Sequence, residues 1–323
     1  MKEKIIKHRY LICVFLVGLI LGLVIHFSVM MTKCLHHYSL LNPLLACGGE
    51  PVINKSNYTT FTSSLKNQID IWQKQGDVKR IGVYFRDLQN GPIFGVNEDE
   101  YFVPASLFKL PVALAVFKLA ESNPNILNQS FVMGQVGEEE YQYFKPSKKI
   151  QSGQTYSVKE LINYSLIYSD NWANAALNKV LQILNPNKDI THETLKDLGL
   201  DDPTNDFQQS ISVRGFSSLF RLLFNSSYLS SEYSNEVLNI LSQSTFDKGL
   251  EAGLPKGIKV TNKFGERDLP DGTAELHDCG IIYYPKNPYL LCVMTSGKDD
   301  DKLASIISQI SKMVYDEVNS REI

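Results

Sequence analysis

The 323-residue chain lacks an internal repeat, an excess of one charge and any metal-type spacing of cysteines. Each absence removes a class of protein. Without a period of roughly 20–50 residues there is no solenoid or propeller. Lysine and arginine total 32 against 35 aspartates and glutamates, for a net charge of −3. Residues 1–33 contribute +4, so the remainder carries −7. An acidic body excludes nucleic acid as the main partner. Cys47, Cys279 and Cys292 form no C-x-x-C pair and show no Cys/His spacing that suggests a metal, so neither a metal nor another cofactor is expected. Apolar residues at 43% and charged residues at 21% exclude wholesale disorder, collagen and coiled coil. The length suits one large domain or two interlocked ones.

One long apolar run is present. Tyr10 to Met31 carries no charged side chain. As a helix rising about 1.5 Å per residue it would extend roughly 33 Å, against a hydrocarbon core of about 30 Å. Four basic residues precede it, which predicts a cytoplasmic segment at 1–9, a single-pass membrane anchor at 10–31, a tether at 32–60 and an extracytoplasmic domain at 61–323. Outside the membrane disulfides can persist, but Cys47, Cys279 and Cys292 cannot all pair among themselves. Buried free thiols are the expectation.

From Phe61 the chain becomes periodic. Leu65, Ile69, Ile71 and Trp72 predict an amphipathic helix. Lys79–Leu88 and Pro92–Val96 read as strands around the Asn90-Gly91 turn. Leu107–Leu119 is apolar all round, as a helix buried on every side must be. Ser157 to Glu160 is a capping box opening a helix to about Tyr168. Further helices are expected at Trp172–Leu184, Thr191–Leu198 (stopped by Gly199), Val213–Phe224 and Ser231–Leu241. Strands follow at Ile258–Lys263, Cys279–Tyr284 and Tyr289–Thr295. Leu303, Ile306, Ile307, Ile310 and Met313 mark a closing helix. The order implies an α+β fold: an antiparallel five-stranded sheet built from both ends of the chain, flanked by terminal helices, with an all-α lobe inserted at about 106–246. A cleft between the lobes is the expected site.

Ser106-x-x-Lys109 opens the buried helix. Positions i and i+3 share a face, so the Lys109 amine can reach the Ser106 hydroxyl and serve as the base that a neutral serine needs. A second such pair, Ser63 and Lys66, reads as a solvated helix face. Ser169-Asp170-Asn171 falls in a break between helices, where Asp170 is also a candidate cap. Lys263-Phe264-Gly265 ends a strand. Lys74-Gln75-Gly76 has the same Lys-x-Gly form, so the order and placement of all three pieces carry the signal.

Together, Ser106-x-x-Lys109, Ser169-Asp170-Asn171 and Lys263-x-Gly265 resemble the signatures of class A β-lactamases and penicillin-binding D,D-peptidases. The resemblance spans roughly residues 61–318 and includes Ala252-Gly253-Leu254-Pro255 and Gly280-Ile281-Ile282. It implies an acyl-enzyme on Ser106 with Lys109 as base. Ser169 would relay a proton to the leaving nitrogen and Lys263 would supply positive charge. Asn171 would bind the substrate amide, and the N–H groups of Ser106 and Glu266 would form the oxyanion hole. Phe144 falls where an aromatic gate is common, with packing as the alternative. The implied substrates are small: β-lactams or D-amino-acid peptides.

Some positions depart from the family pattern. Leu200–Ile211 has no glutamate to activate a deacylating water, which predicts slow deacylation; Asp201, Asp202 and Asp206 are candidate substitutes or turn residues. Phe264 replaces a carboxylate-binding threonine or serine, and Cys279 stands where many members have a carboxylate-binding arginine. His277 and Arg267 are near enough in sequence to compensate. The readings left open are a β-lactamase-type hydrolase, a D,D-peptidase or other amidase or esterase, and a non-catalytic binder of cell-wall peptide.

Overall fold

The computed structural model describes residues 12–26, 38–45, 57–89, 91–137, 142–200, 210–285 and 287–321. Helix α1 (Thr59–Gln75) buries Phe61, Leu65, Ile69 and Trp72 at three- and four-residue spacing. Ile71, expected on that stripe, is exposed because it falls between its turns. Gly76 takes a left-handed φ of 77° and stops the helix, which accounts for the second Lys-x-Gly match. Ser63 and Lys66 are exposed on α1, as expected of a solvated face.

Strands β1 (Arg80–Asp87) and β2 (Ile93–Val96) pair antiparallel, and a short β3 (Tyr101–Phe102) follows. A 3-10 turn, Ala105–Phe108, runs into α2 (Lys109–Ser122), whose residues are buried continuously from Lys109 to Phe117. Strands β4 (Ser130–Val132) and β5 (Thr155–Ser157) pair with each other. The capping box at Ser157 and Glu160 opens α3 (Val158–Ile167). Next come α4 (Asn171–Leu184), α5 (Ile190–Asp197), β6 (Ile211–Ser212, paired with β3), α6 (Val213–Phe224) and α7 (Ser231–Leu241). Strands β7 (Val260–Asp268), β8 (Ala274–Ile282) and β9 (Tyr289–Gly297) lead into α8 (Asp300–Arg321).

The main sheet has the order β2-β1-β9-β8-β7 and is antiparallel throughout, so β7 is an edge. Its faces bury into different cores. On β9, Leu290, Cys292 and Met294 join the core of the helical lobe, whereas Leu291 and Val293 join the one made with α1 and α8. Burial on both faces makes β9 a continuous apolar run. Each large side chain so buried contributes about 1.5–3 kcal/mol, an upper range because the unfolded chain already hides some surface.

Cys279 and Cys292 are directly opposite on β8 and β9 and form a disulfide. The expectation of free thiols is therefore corrected for this pair: opposed positions on neighbouring strands bring their sulfurs together. Cys47 lies outside the described residues. Of the expected membrane anchor, 12–26 is an exposed helix. Among the described residues no helix is long and apolar enough to cross a membrane.

Asp170 is buried and accepts the Ala173 N–H at 2.7 Å as the N-cap of α4, and the Ile150 N–H at 3.0 Å. Asp170→Ala should lower the unfolding free energy by about 2–3 kcal/mol through loss of a cap and an orphaned buried donor. Asp170→Asn should lose less. Urea titrations of the three proteins measure the difference, and an alanine variant as stable as the parent would remove Asp170 from the fold's essential ties.

Candidate active site

Three interruptions of regular structure meet at one point. The first is the 3-10 turn before α2, where Ala105 takes a φ of 49° and presents Ser106. The second is the break between α3 and α4, where Ser169 takes a φ of 57°. Left-handed backbone is uncommon outside glycine and costs on the order of 1–3 kcal/mol per residue. The third is the edge strand β7. Gly265 lets it approach the Ser106 turn, because a Cβ there would lie 2.8 Å from Pro104 O and 2.9 Å from Leu107 N. Both neighbours are backbone atoms and cannot easily yield.

The Lys109 amine is the centre of the site and is only 3% exposed. Its Nζ lies 2.9 Å from Ser106 Oγ, 3.1 Å from Ser169 Oγ, 2.7 Å from Asn171 Oδ1 and 2.5 Å from Ser169 O. Lys263 Nζ donates to the same Ser169 Oγ at 3.0 Å and to Phe264 O at 2.9 Å. Ser106, Lys109, Ser169 and Lys263 are thus linked in one relay. Burial first, and the charge of Lys109 second, hold Lys263 well below the usual lysine range.

Glu266 follows Gly265 and accepts the Phe144 N–H at 3.2 and 3.1 Å through its two carboxylate oxygens. Burial pushes its pKa up to about 7, opposed by that hydrogen bond and by Lys109 and Lys263, and assisted by Asp300. Phe144 packs on Phe246 with ring centres 5.0 Å apart, and Phe246 stacks on Phe264 at 4.1 Å. Gln142 Nε2 reaches Ser169 O at 3.3 Å and Tyr143 OH reaches Asp301 at 2.6 Å. The 142–144 segment therefore crosses from the helical lobe to the end of the sheet. Gln142 and Phe246 carry no sequence motif, and only the fold brings them here.

His277 is not available to a ligand, which corrects its expected substrate-binding role. It is fully buried, its Nδ1 accepts the Thr295 N–H at 3.3 Å and its Nε2 lies 2.9 Å from Val103 O. These partners define the neutral tautomer with Nε2–H donating to the carbonyl. Glu275 accepts the Val103 N–H at 2.8 Å. Together His277 and Glu275 hold the segment that leads into Ser106. Arg267 is exposed on β7, and Asp201, Asp202 and Asp206 lie outside the described residues. No group of three or more histidine, cysteine, aspartate or glutamate side chains among the described residues can hold a metal.

The sheet with its inserted helical lobe is the fold of the class A β-lactamases and penicillin-binding proteins. It is shared with a structure of PBP-A (TM-score 0.66, 20% identity, 82% of this chain and 98% of that one). A class A β-lactamase from Bacteroides cellulosilyticus is equally similar in fold (TM-score 0.66, 23% identity, 80% and 98%). In sequence, a β-lactamase of Bacteroides uniformis is 27% identical over 273 residues, covering 79% of this chain and 91% of the relative. A profile of the Beta-lactamase enzyme family matches residues 62–318, and the chain belongs to that family of serine hydrolases.

The raised Glu266 pKa has a consequence for stability. A carboxyl whose pKa rises from 4.5 to about 7 on folding adds stability below its unfolded value, lost as pH climbs through about 7. Glu266→Gln, which keeps an acceptor for Phe144, should be more stable than the parent at pH 8 by up to about 3 kcal/mol and equal to it near pH 4. Thermal melts at both pH values check the sign. A variant less stable than the parent at pH 8 would contradict it.

Proposed function

We propose that the chain is an active-site-serine hydrolase forming an acyl-enzyme on Ser106. The observation that carries this reading is the 2.9 Å contact between Ser106 Oγ and a Lys109 amine already engaged with Ser169 and Asn171. As a neutral amine, Lys109 donates two N–H groups to Ser169 O and Asn171 Oδ1 and takes the Ser106 proton on its lone pair. Ser106 Oγ then attacks the acyl carbon, and the N–H groups of Ser106 and Glu266 receive the developing oxyanion. The proton passes from Lys109 through Ser169 Oγ to the leaving nitrogen. Lys263, bonded to that same hydroxyl, favours its role as donor. The Asn171 side-chain N–H groups bind the substrate amide, Gly265 lets β7 close on the Ser106 turn, and Phe144 forms the mouth.

The acyl donors on this reading are β-lactam amides. One structural relative, a mutant of PBP-A, was solved as an acyl-enzyme complex with penicillin G. Deacylation is slow, because Leu200–Ile211 holds no glutamate. The same absence favours a second reading as a D,D-peptidase, or another amidase or esterase, acting on cell-wall peptides. The apolar run at 10–31 supports placement of the enzyme outside the cell membrane on a single N-terminal anchor.

Intact-protein mass spectrometry with millimolar penicillin is the test. A covalent adduct should accumulate and persist, be absent in Ser106→Ala, and form on the order of 10²–10⁴-fold more slowly in Lys109→Ala. An adduct that decays as the drug is consumed would overturn slow deacylation. An adduct retained in Ser106→Ala would overturn the nucleophile.

A further inference from the structure

The residues flanking the serine on β7 are unsuited to an anion. Lys263 and Gly265 are turned toward the Ser106 turn: the lysine bonds Ser169 Oγ, and a Cβ on Gly265 would strike Pro104 and Leu107. Phe264 and Glu266 alternate with them and meet the 142–144 segment. Phe144 lies with its ring centre 6.5 Å from that of Phe264 and its N–H on the Glu266 carboxylate. At this end of β7 there is therefore a buried phenylalanine and an acid, with Phe144 against both, and no hydroxyl side chain to receive an anion.

The nearby cations, Lys109 and Lys263, offset the acid only in part. Lys263 is fully buried, bonded to Ser169 and Phe264 O, with its Nζ 4.6 Å from the centre of the Phe264 ring. Lys109 is engaged with both serines and Asn171. Cys279 is in a disulfide and His277 is a buried neutral ring on backbone partners. Behind Glu266, Asp300 adds negative charge, and Asp299 and Asp301 act with it on Tyr143. A carboxylate placed beside Phe264 would lose its hydration and meet like charge.

We propose that the acyl donors used by Ser106 carry no carboxylate beside the scissile bond on the leaving-group side, and that Phe264 and Glu266 select uncharged or amine-bearing donors. This rests on the acyl-enzyme reading above and narrows its donors: penicillin, which carries a carboxylate, acylates Ser106 slowly, and amides without that carboxylate acylate it faster.

Three thioesters of one phenylacetylglycyl group test it, with mercaptoacetate, methyl mercaptoacetate or 2-(dimethylamino)ethanethiol, whose tertiary amine cannot take the acyl group, as leaving thiol. In each, the Ser106 Oγ–C bond forms as C–S breaks, the thiol leaves with the proton, and water hydrolyses the acyl-enzyme. With kcat/KM corrected for alkaline hydrolysis, the methyl ester and the amine should exceed the carboxylate at least tenfold. Glu266→Gln and Phe264→Thr should each narrow that ratio several-fold, and Arg267→Ala should not. Equal or faster turnover of the carboxylate, or a ratio unmoved by both β7 variants, overturns the proposal. A fluorophosphonate probe separates the two claims. It forms an Oγ–P bond with loss of fluoride and needs no carboxylate. Labelling of the parent but not Ser106→Ala, with equal thioester turnover, overturns the selectivity alone. No labelling of folded parent and no turnover overturns the nucleophile and the selectivity together.

Discussion

Two lysine amines share the hydroxyl oxygen of Ser169, Lys109 at 3.1 Å and Lys263 at 3.0 Å, and both side chains are almost wholly buried. Two ammonium groups so close, out of water, are strongly disfavoured, and several kcal/mol per ion is the usual penalty for burial alone. The arrangement is tolerable because hydroxyl, carbonyl and amide oxygens take their N–H groups and because the neutral amine form is within reach. That same pressure toward neutrality favours a free amine, whose lone pair can accept a proton. The surrounding fold follows from the need to deliver both amines. Helix α2 has to be apolar all round to carry Lys109 into the interior. The α3–α4 break has to turn left-handed at Ser169 to bring its carbonyl and hydroxyl to one nitrogen.

Holding Ser106 is a separate task from placing the two lysines beside it. The turn that presents Ser106 begins at Val103, whose N–H and C=O are both taken by side chains of β8, Glu275 and His277. Arg80 stacks on Phe102 at 4.4 Å and lies 3.8 Å from Glu275, tying β1 to the same point. The left-handed φ at Ala105 is thereby fixed from one side by the sheet and from the other by buried α2. Gly265 closes the third side through contact with the backbone. A histidine that a ligand might have used serves instead to set the position of a peptide group.

The parts of this architecture that repeat with a period were legible in the sequence. Helices α6 and α7 were placed to the residue, because a wide apolar stripe coincides with a serine cap in each. Strand β9 was legible because both of its faces are buried. Strands β7 and β8 run longer than expected, to Asp268 and from Ala274. Their polar ends, Glu266-Arg267-Asp268 and Glu275 through Asp278, hide the alternation. Those polar ends are the stretch that builds the site. Ser106, Lys109, Ser169, Asn171 and Lys263 could be singled out because spacing and order carried them. Gln142, Phe246 and the Val103 clamp could not, since long-range packing alone brings them in. The Cys279–Cys292 bond was hidden for a related reason: it depends on the register of two strands, which pattern leaves open.

That register also explains why the unusual residues occur together. Lys263 is opposite Cys279, Phe264 opposite Asp278, Gly265 opposite His277 and Glu266 opposite Leu276. Asp278, its pKa pushed up to about 6 by burial, accepts from Asn262 and Leu250. Phe264 is stacked on Phe246 in the core made with α1 and α8, whereas Cys279, bonded to Cys292 on β9, lies in the core of the helical lobe. A hydroxyl residue at 264 would lose the stack and leave a void beside Phe246, costing about 2–4 kcal/mol by analogy with other large-to-small core changes. An arginine at 279 would need the space now held by the disulfide. Positions 264 and 279 are thus each built into the interior, one on either face of the sheet, so neither can change without repacking the core behind it.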